Sequence, residues 1–151
     1  MTSEVTDIRT LPIAQLCSEG FAAETSGDVE RAHKIYLDAW ERSETDLDKC
    51  MAAHFVARVH DDESEKLRWN LESLRRAEAT GGDSLAGFYP SMHTNLGFSY
   101  LATGDRERAR EQFELAQGKL DALEDGPYGD EVRRVVRLAF DSLSTHDHDA
   151  P

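Results

Sequence analysis

A chain of 151 residues, 39% hydrophobic and 31% charged, fits one compact domain or a short repeat array and holds enough apolar material for a core, which excludes wholesale disorder. Lys and Arg together number 17 against 30 Asp and Glu, and the resulting net charge of −13 disfavours nucleic acid and anionic membrane surfaces as partners. No apolar run nears the roughly 18 residues of a membrane span, and Met1-Thr2-Ser3-Glu4-Val5-Thr6-Asp7 lacks the basic-then-apolar order of a secretory signal, so a cytoplasmic location is expected.

Residues 1–10 read as a flexible N-terminus. The first helical pair, about 12–45, turns at Gly27-Asp28: glycine tolerates the left-handed end of one helix, and aspartate accepts from the free N–H groups that start the next. Gly20 takes a close-packing place on its first helix, and Ala32, Tyr36 and Ala39, spaced i, i+4, i+7, mark the buried face of its second. A middle pair, about 46–80, turns at Asp61-Asp62-Glu63-Ser64-Glu65 without glycine. Asp61 or Asp62 is the expected cap, ahead of an acidic first turn that suits the helix dipole. Its second helix aligns through Asn70, Leu74 and Ala77.

After a Gly81-Gly82 turn the third pair, about 84–123, carries Asn95-Leu96-Gly97-Phe98-Ser99-Tyr100-Leu101-Ala102-Thr103-Gly104-Asp105, then Ala109, Phe113 and Ala116. Glu124 to Asp130 form a turn cluster. A last helix, 129–144, has the apolar stripe Val132, Val135, Val136, Ala139, Phe140 and Leu143, which suits it to cover an open end. Residues 145–151 read as a disordered tail.

The small residue of each second helix falls at 32, 70 and 109 and the bulky one at 36, 74 and 113, so both recur at intervals of 38 and 39. The set Leu96-Gly97, Tyr100, Gly104-Asp105, Ala109, Phe113 and Ala116 resembles the signature of the tetratricopeptide repeat family, with the first pair a looser match and the middle pair a degenerate one. The family period is about 34 residues. The excess here is close to one helical turn, which keeps the buried faces in phase. The resemblance implies an all-α fold: a right-handed α-solenoid of three antiparallel helix pairs plus a C-terminal capping helix.

It also implies a function. First helices of such pairs line a concave groove, which here would hold Cys17, Phe55 and Thr94, then Phe21, Val59 and Phe98, then Glu24, Asp62 and Leu101. That lining is apolar and aromatic with an acidic edge, and suits an amphipathic helix or an extended apolar peptide bearing a basic residue. Relatives that clamp a terminal carboxylate use Lys, Arg and Asn in the groove; only Asn95 stands at such a place. The expected role is a non-enzymatic interaction module with no cofactor. The same apolar residues also fit plain packing, a groove filled by the chain's own first residues, or self-association into a homodimer. One alternative is a small-molecule binder or enzyme using the concave surface as a pocket, with His54, His93, Tyr89 and Glu24 as its groups. Another is a peptide-sensing regulatory protein.

Catalytic and metal motifs do not emerge. Gly81-Gly82 lacks the lysine of a phosphate loop, and there is no His-Glu-x-x-His. His146-Asp147-His148-Asp149 would lack an outer shell in a loose tail. Cys17 and Cys50 read as buried small hydrophobes, and Trp40 and Trp69 as inter-helix packing.

Overall fold

The computed structural model describes the backbone of residues 12–82 and 84–149 and the side chains of these up to Ser144. Its regular structure is all helical: α1 Pro12–Thr25, α2 Val29–Arg42, α3 Asp46–Val59, α4 Glu63–Thr80, α5 Tyr89–Ala102, α6 Arg106–Gly118 and α7 Pro127–Asp149. Short 3-10 turns, Ala86–Phe88 and Leu120–Ala122, precede α5 and follow α6. The helices pack in adjacent pairs, α1 on α2, α3 on α4 and α5 on α6, and α7 rests against both α5 and α6. Among the described residues no helix is long and apolar enough to cross a membrane.

The first and third pairs are built by one device used twice. Gly27 and Gly104 sit at φ 91° and 90°, where a side chain would be strained. The amides that follow close the helix end: Asp28 N–H donates to Ala23 O at 2.9 Å and Asp105 N–H to Tyr100 O at 2.8 Å. The same two aspartates then start the next helix, each carboxylate accepting from the amide three residues on, Arg31 and Arg108, at 3.1 Å. One residue thus ends one helix and begins another.

Close approach between the paired helices depends on a second glycine. Gly20 faces the ring of Tyr36, and Gly97 the ring of Phe113; a Cβ at either place would overlap the ring. With no side chain there, the aromatic drops fully into the interface. Tyr36 and Phe113 have no exposed surface, nor do Ala32, Ala39, Ala109 and Ala116 beside them. The buried faces expected for α2 and α6 are therefore the observed ones.

The middle pair departs from this plan. Asp62, one of the two expected caps, accepts from Glu65 N–H at 2.9 Å. The buried face of α4 is Trp69, Ser73 and Ala77. The expected face through Asn70 and Leu74 is thus one residue out of register, and both of those side chains are only half-buried. The bulk of Trp69 explains the slip: its ring meets Trp40 of α2 edge-on at 5.0 Å, a contact that buries more apolar surface than an asparagine could. Asn70 instead donates to Ser99 Oγ on α5 at 2.9 Å. At the place of Gly20 and Gly97, the repeat intervals put Arg58.

The last helix differs at both ends from the expected 129–144. Pro127 opens it, its fixed φ suited to the first helical position, directly after Gly126 at φ 143°. Its backbone stays helical to Asp149, where a disordered tail was expected from residue 145. Extending an existing helix costs far less than nucleating one. Of the expected stripe, Val132, Val136, Ala139 and Leu143 are buried, while Val135 and Phe140 are only half-buried. Residues 1–10 and 150–151 lie outside the described residues, so the expectations for them have no counterpart here.

The glycine contacts lead to a prediction. Gly97→Ala should lower stability by about 2 kcal/mol, because overpacking of this kind costs about 1–3 kcal/mol and outweighs the better helix propensity of alanine. Gly118→Ala, with open space around its Cβ, should leave stability unchanged or raise it. Urea unfolding of both variants tests this; equal effects would contradict the packing account.

Candidate functional site

First helices are not evenly spaced. α1 rests on α3 and α5 on α7, whereas α3 and α5 pack less closely and touch through Cys50 and Met92. The connection between α4 and α5 lies between them. Leu85 in that connection is buried against Cys50 of α3, Ala77 of α4 and Met92 of α5, with Leu47 and Tyr89 alongside. Leu85 therefore sits at one end of the α3–α5 gap.

Beyond Leu85 the gap forms a cavity of about 390 Å³. Leu47, Cys50, Met51, His54, Phe55 and Arg58 line it from α3, and Ser91, Met92, Thr94 and Asn95 from α5. Tyr128, Glu131, Val132 and Val135 of α7 supply a third wall, and Ser73, Leu85 and Phe88 complete it. A smaller chamber of about 200 Å³ shares His54, Arg58 and Asn95 with the first and adds Ala57, Glu63, Lys66, Asn70, Phe98 and Ser99.

The large chamber is apolar and its charges are matched. At its inner end Cys50 Sγ lies 3.8 Å from Met92 Sδ and 3.6 Å from Ser73 Oγ, and that hydroxyl donates to Cys50 O at 2.9 Å. Phe88 and Tyr128 face each other at 6.3 Å, and Tyr128 OH and Ser91 Oγ share a hydrogen bond of 3.1 Å. Arg58 donates from Nη2 to Glu24 Oε2 at 2.7 Å and from Nε to Glu24 Oε1 at 3.3 Å. Glu24 also accepts from Tyr36 OH at 3.1 Å. These hydrogen bonds, led by that from Arg58, hold the Glu24 carboxyl below its usual range. Glu131 is held low in the same way by Arg134.

His54 and the two cysteines, unlike the paired carboxylates, favour their neutral forms. Burial, aided by the Arg58 charge, lowers His54 to about 4. Its ring meets Phe55 edge-on at 5.3 Å. Burial raises the Cys50 thiol, and raises Cys17, with help from the Asp48 charge, to about 12. Neither thiol is poised as a nucleophile at neutral pH. Among the described residues no group of three His, Cys, Asp or Glu is placed to hold a metal ion. The side chains of the His146-Asp147-His148-Asp149 stretch lie outside the described residues.

The ten expected groove residues divide. Phe55 and Thr94 line the large chamber, Phe98 the small one and Asn95 both. Phe55 and Phe98 also lean on the second-helix aromatics, Tyr36 at 5.1 Å and Phe113 at 5.2 Å. Thr94 is buried and spends its hydroxyl on Pro90 O at 2.6 Å. The other six lie apart from the chambers. Cys17 packs with Ile13, Ala39 and Ala52. Val59 is buried beside Tyr36 and Trp69, and Leu101 packs on the Ala109–Phe113 cluster. Asp62 is a helix cap. Glu24 is taken up by Arg58 and Tyr36. Phe21 is 45% exposed, with the Arg58 guanidinium 5.5 Å above its ring.

Of the pocket alternative's groups, His54 alone lines a chamber. His93 is buried, with Nδ1 bonded to Gln112 Oε1 at 2.8 Å, and stacks on Tyr89 at 6.1 Å. The lining residues that sequence reading does not assign to a site come from α3, α4 and α5, and also from the α4–α5 connection and α7. Leu85 and Phe88 are large apolar residues in a segment rich in glycine and serine, which is the one signal that they matter; Leu85 is buried, while Phe88 stays 38% exposed at the rim. Val132 and Val135 read only as part of a covering stripe. Arg58 is legible as a charged residue at a glycine place.

The His54 environment gives a pH dependence with a definite sign. An unfolded chain protonates this side chain near 6.5, the native chain only near 4. Between those values the unfolded state binds more protons, so stability is full above about 6.5 and falls as pH drops, by at most about 1.4 kcal/mol per pH unit. His33 and His93 are also lowered, chiefly by burial, and act in the same direction. His54→Gln should therefore lose less stability than the parent between pH 7 and pH 4.5, measured by urea midpoints. Parallel losses would mean that His54 is solvated. No protein-family model, curated protein or solved structure matches the chain.

Proposed function

We propose that this protein is a non-enzymatic binding module built on tetratricopeptide-type repeats, and that it takes an apolar group of its partner into the chamber between α3, α5 and α7. The repeat reading is supported by duplicated parts. Gly20 and Gly97, Gly27 and Gly104, Asp28 and Asp105, and Tyr36 and Phe113 are each 77 residues apart, two repeats of the expected length, and each couple does the same job. On this reading the three pairs wind as a right-handed solenoid, and α7 covers its last face.

The observation that carries the binding reading is the chamber itself. A gap of about 390 Å³ between packed helices, whose lining surface is mainly apolar, leaves apolar surface without partner atoms. Such voids cost stability, and a well-packed interior keeps few of them. A ligand pocket has this size and this mixture of apolar wall with a few polar groups. The occupant is then either a bulky side chain carried on a helical or extended segment of another protein, or a free small molecule. The chamber is a partly open cleft, with Phe88 38% and Tyr128 51% exposed at its rim, and its limited volume favours the small molecule or a single side chain over a long peptide.

A neutral apolar dye such as N-phenyl-1-naphthylamine tests the binding reading without presuming the natural ligand. Fluorescence titration should show saturable one-site binding. Val135→Trp and Met51→Trp, which fill the chamber from two different helices, should each weaken it at least tenfold while helical circular dichroism is unchanged. Binding that does not saturate, or that both filled variants retain, would contradict the proposal.

A further inference from the structure

The two chambers differ in chemistry and share a wall, and that juxtaposition says more about the occupant than either chamber alone. His54, Arg58 and Asn95 border both. On one side lie Leu47, Met51, Val132 and Val135; on the other lie Lys66, Asn70 and Ser99. A ligand spanning the wall would keep an apolar body in the large chamber and a polar head in the small one.

The head can be specified from the groups that face it. Lys66 and Arg58 bring cationic donors, and Asn95 brings an amide. Only Glu63 brings a carboxylate to the lining. Arg58 is already engaged twice by Glu24 at 2.7 and 3.3 Å, while Lys66 Nζ stands 3.9 Å from Glu63 Oε1, an ion pair too long for a hydrogen bond. Lys66 is thus the less committed of the two cations, and its side chain is only 32% exposed. A head that accepts several hydrogen bonds and carries negative charge would shorten the contacts Lys66 now lacks. The net charge of −13 repels anions at long range, so only such local donors could favour one.

The body can be specified from volume. A cavity of about 150 Å³ takes up benzene. The large chamber, at about 390 Å³, holds more than twice that, which suits a pair of fused rings or a medium-length alkyl chain. We propose that the two-chamber site binds a small amphiphilic carboxylate, its apolar body between α3, α5 and α7 and its carboxylate against Lys66 and Asn95. This rests on the binding reading above and assigns its ligand class.

Decanoate is the probe, with decanol as its uncharged counterpart, each titrated as a competitor of N-phenyl-1-naphthylamine on the full chain. Decanoate should displace the dye completely and at least fivefold more tightly than decanol. Lys66→Met should remove that preference by weakening decanoate at least fivefold and leaving decanol unchanged. Val135→Trp should weaken both. Decanol binding as tightly as decanoate, or a decanoate affinity indifferent to Lys66→Met, would overturn the head assignment. A chamber that takes up the dye but not decanoate would overturn the ligand class and leave the binding module standing. Failure of the dye itself would sink both.

Discussion

Everything in this molecule follows from how close two paired helices can come. In the first and third pairs an absent side chain on one helix admits a whole aromatic ring from the other, Tyr36 over Gly20 and Phe113 over Gly97. The ring and its flanking alanines are then sealed from water. A Schellman end and an aspartate cap, duplicated at Gly27-Asp28 and Gly104-Asp105, set the angle at which each helix leaves the other. These contacts fix the outer pairs as rigid units and leave the middle pair to accommodate them.

The middle pair lacks the glycine and carries Arg58 in its place. That side chain does not enter the α3–α4 interface as a ring would. It emerges beside the chambers and joins Glu24 of α1, which also holds the Tyr36 hydroxyl. A charged residue at a close-packing position thereby tethers two pairs and borders both chambers. Leu85, from the α4–α5 connection, packs against Cys50 of α3 and Met92 of α5 at one end of the gap. The same departure from regularity that weakens the repeat pattern accompanies the space.

How much of this could be read beforehand depends on the kind of signal. Glycine, aspartate and alanine at the turns and faces of the outer pairs act locally, through φ, capping and side-chain size, so their roles stood in the sequence. The α4 face did not, because the choice between Trp69 and Asn70 is decided by a partner, Trp40, that lies a full helix away. The chambers were still less legible. Their walls come from α3, α5, α7 and a connection, and only the spacing of helices in three dimensions brings His54, Asn95 and Val135 together. Residues assigned to the groove by equivalence, such as Cys17 and Val59, turned out to be core because the first helices are not equally spaced.

The central claim is that the α3–α5 gap is a ligand chamber. Met51 and Met92 both line it, and the chain has three methionines in all, so its methionine ε-methyl NMR spectrum is simple. Titrating N-phenyl-1-naphthylamine into methyl-labelled protein reads the chamber directly, through the ring currents of the dye. The account predicts that the Met51 and Met92 methyl signals move together and saturate at one equivalent. Dye bound at one equivalent with both signals unmoved would place the ligand elsewhere and contradict it.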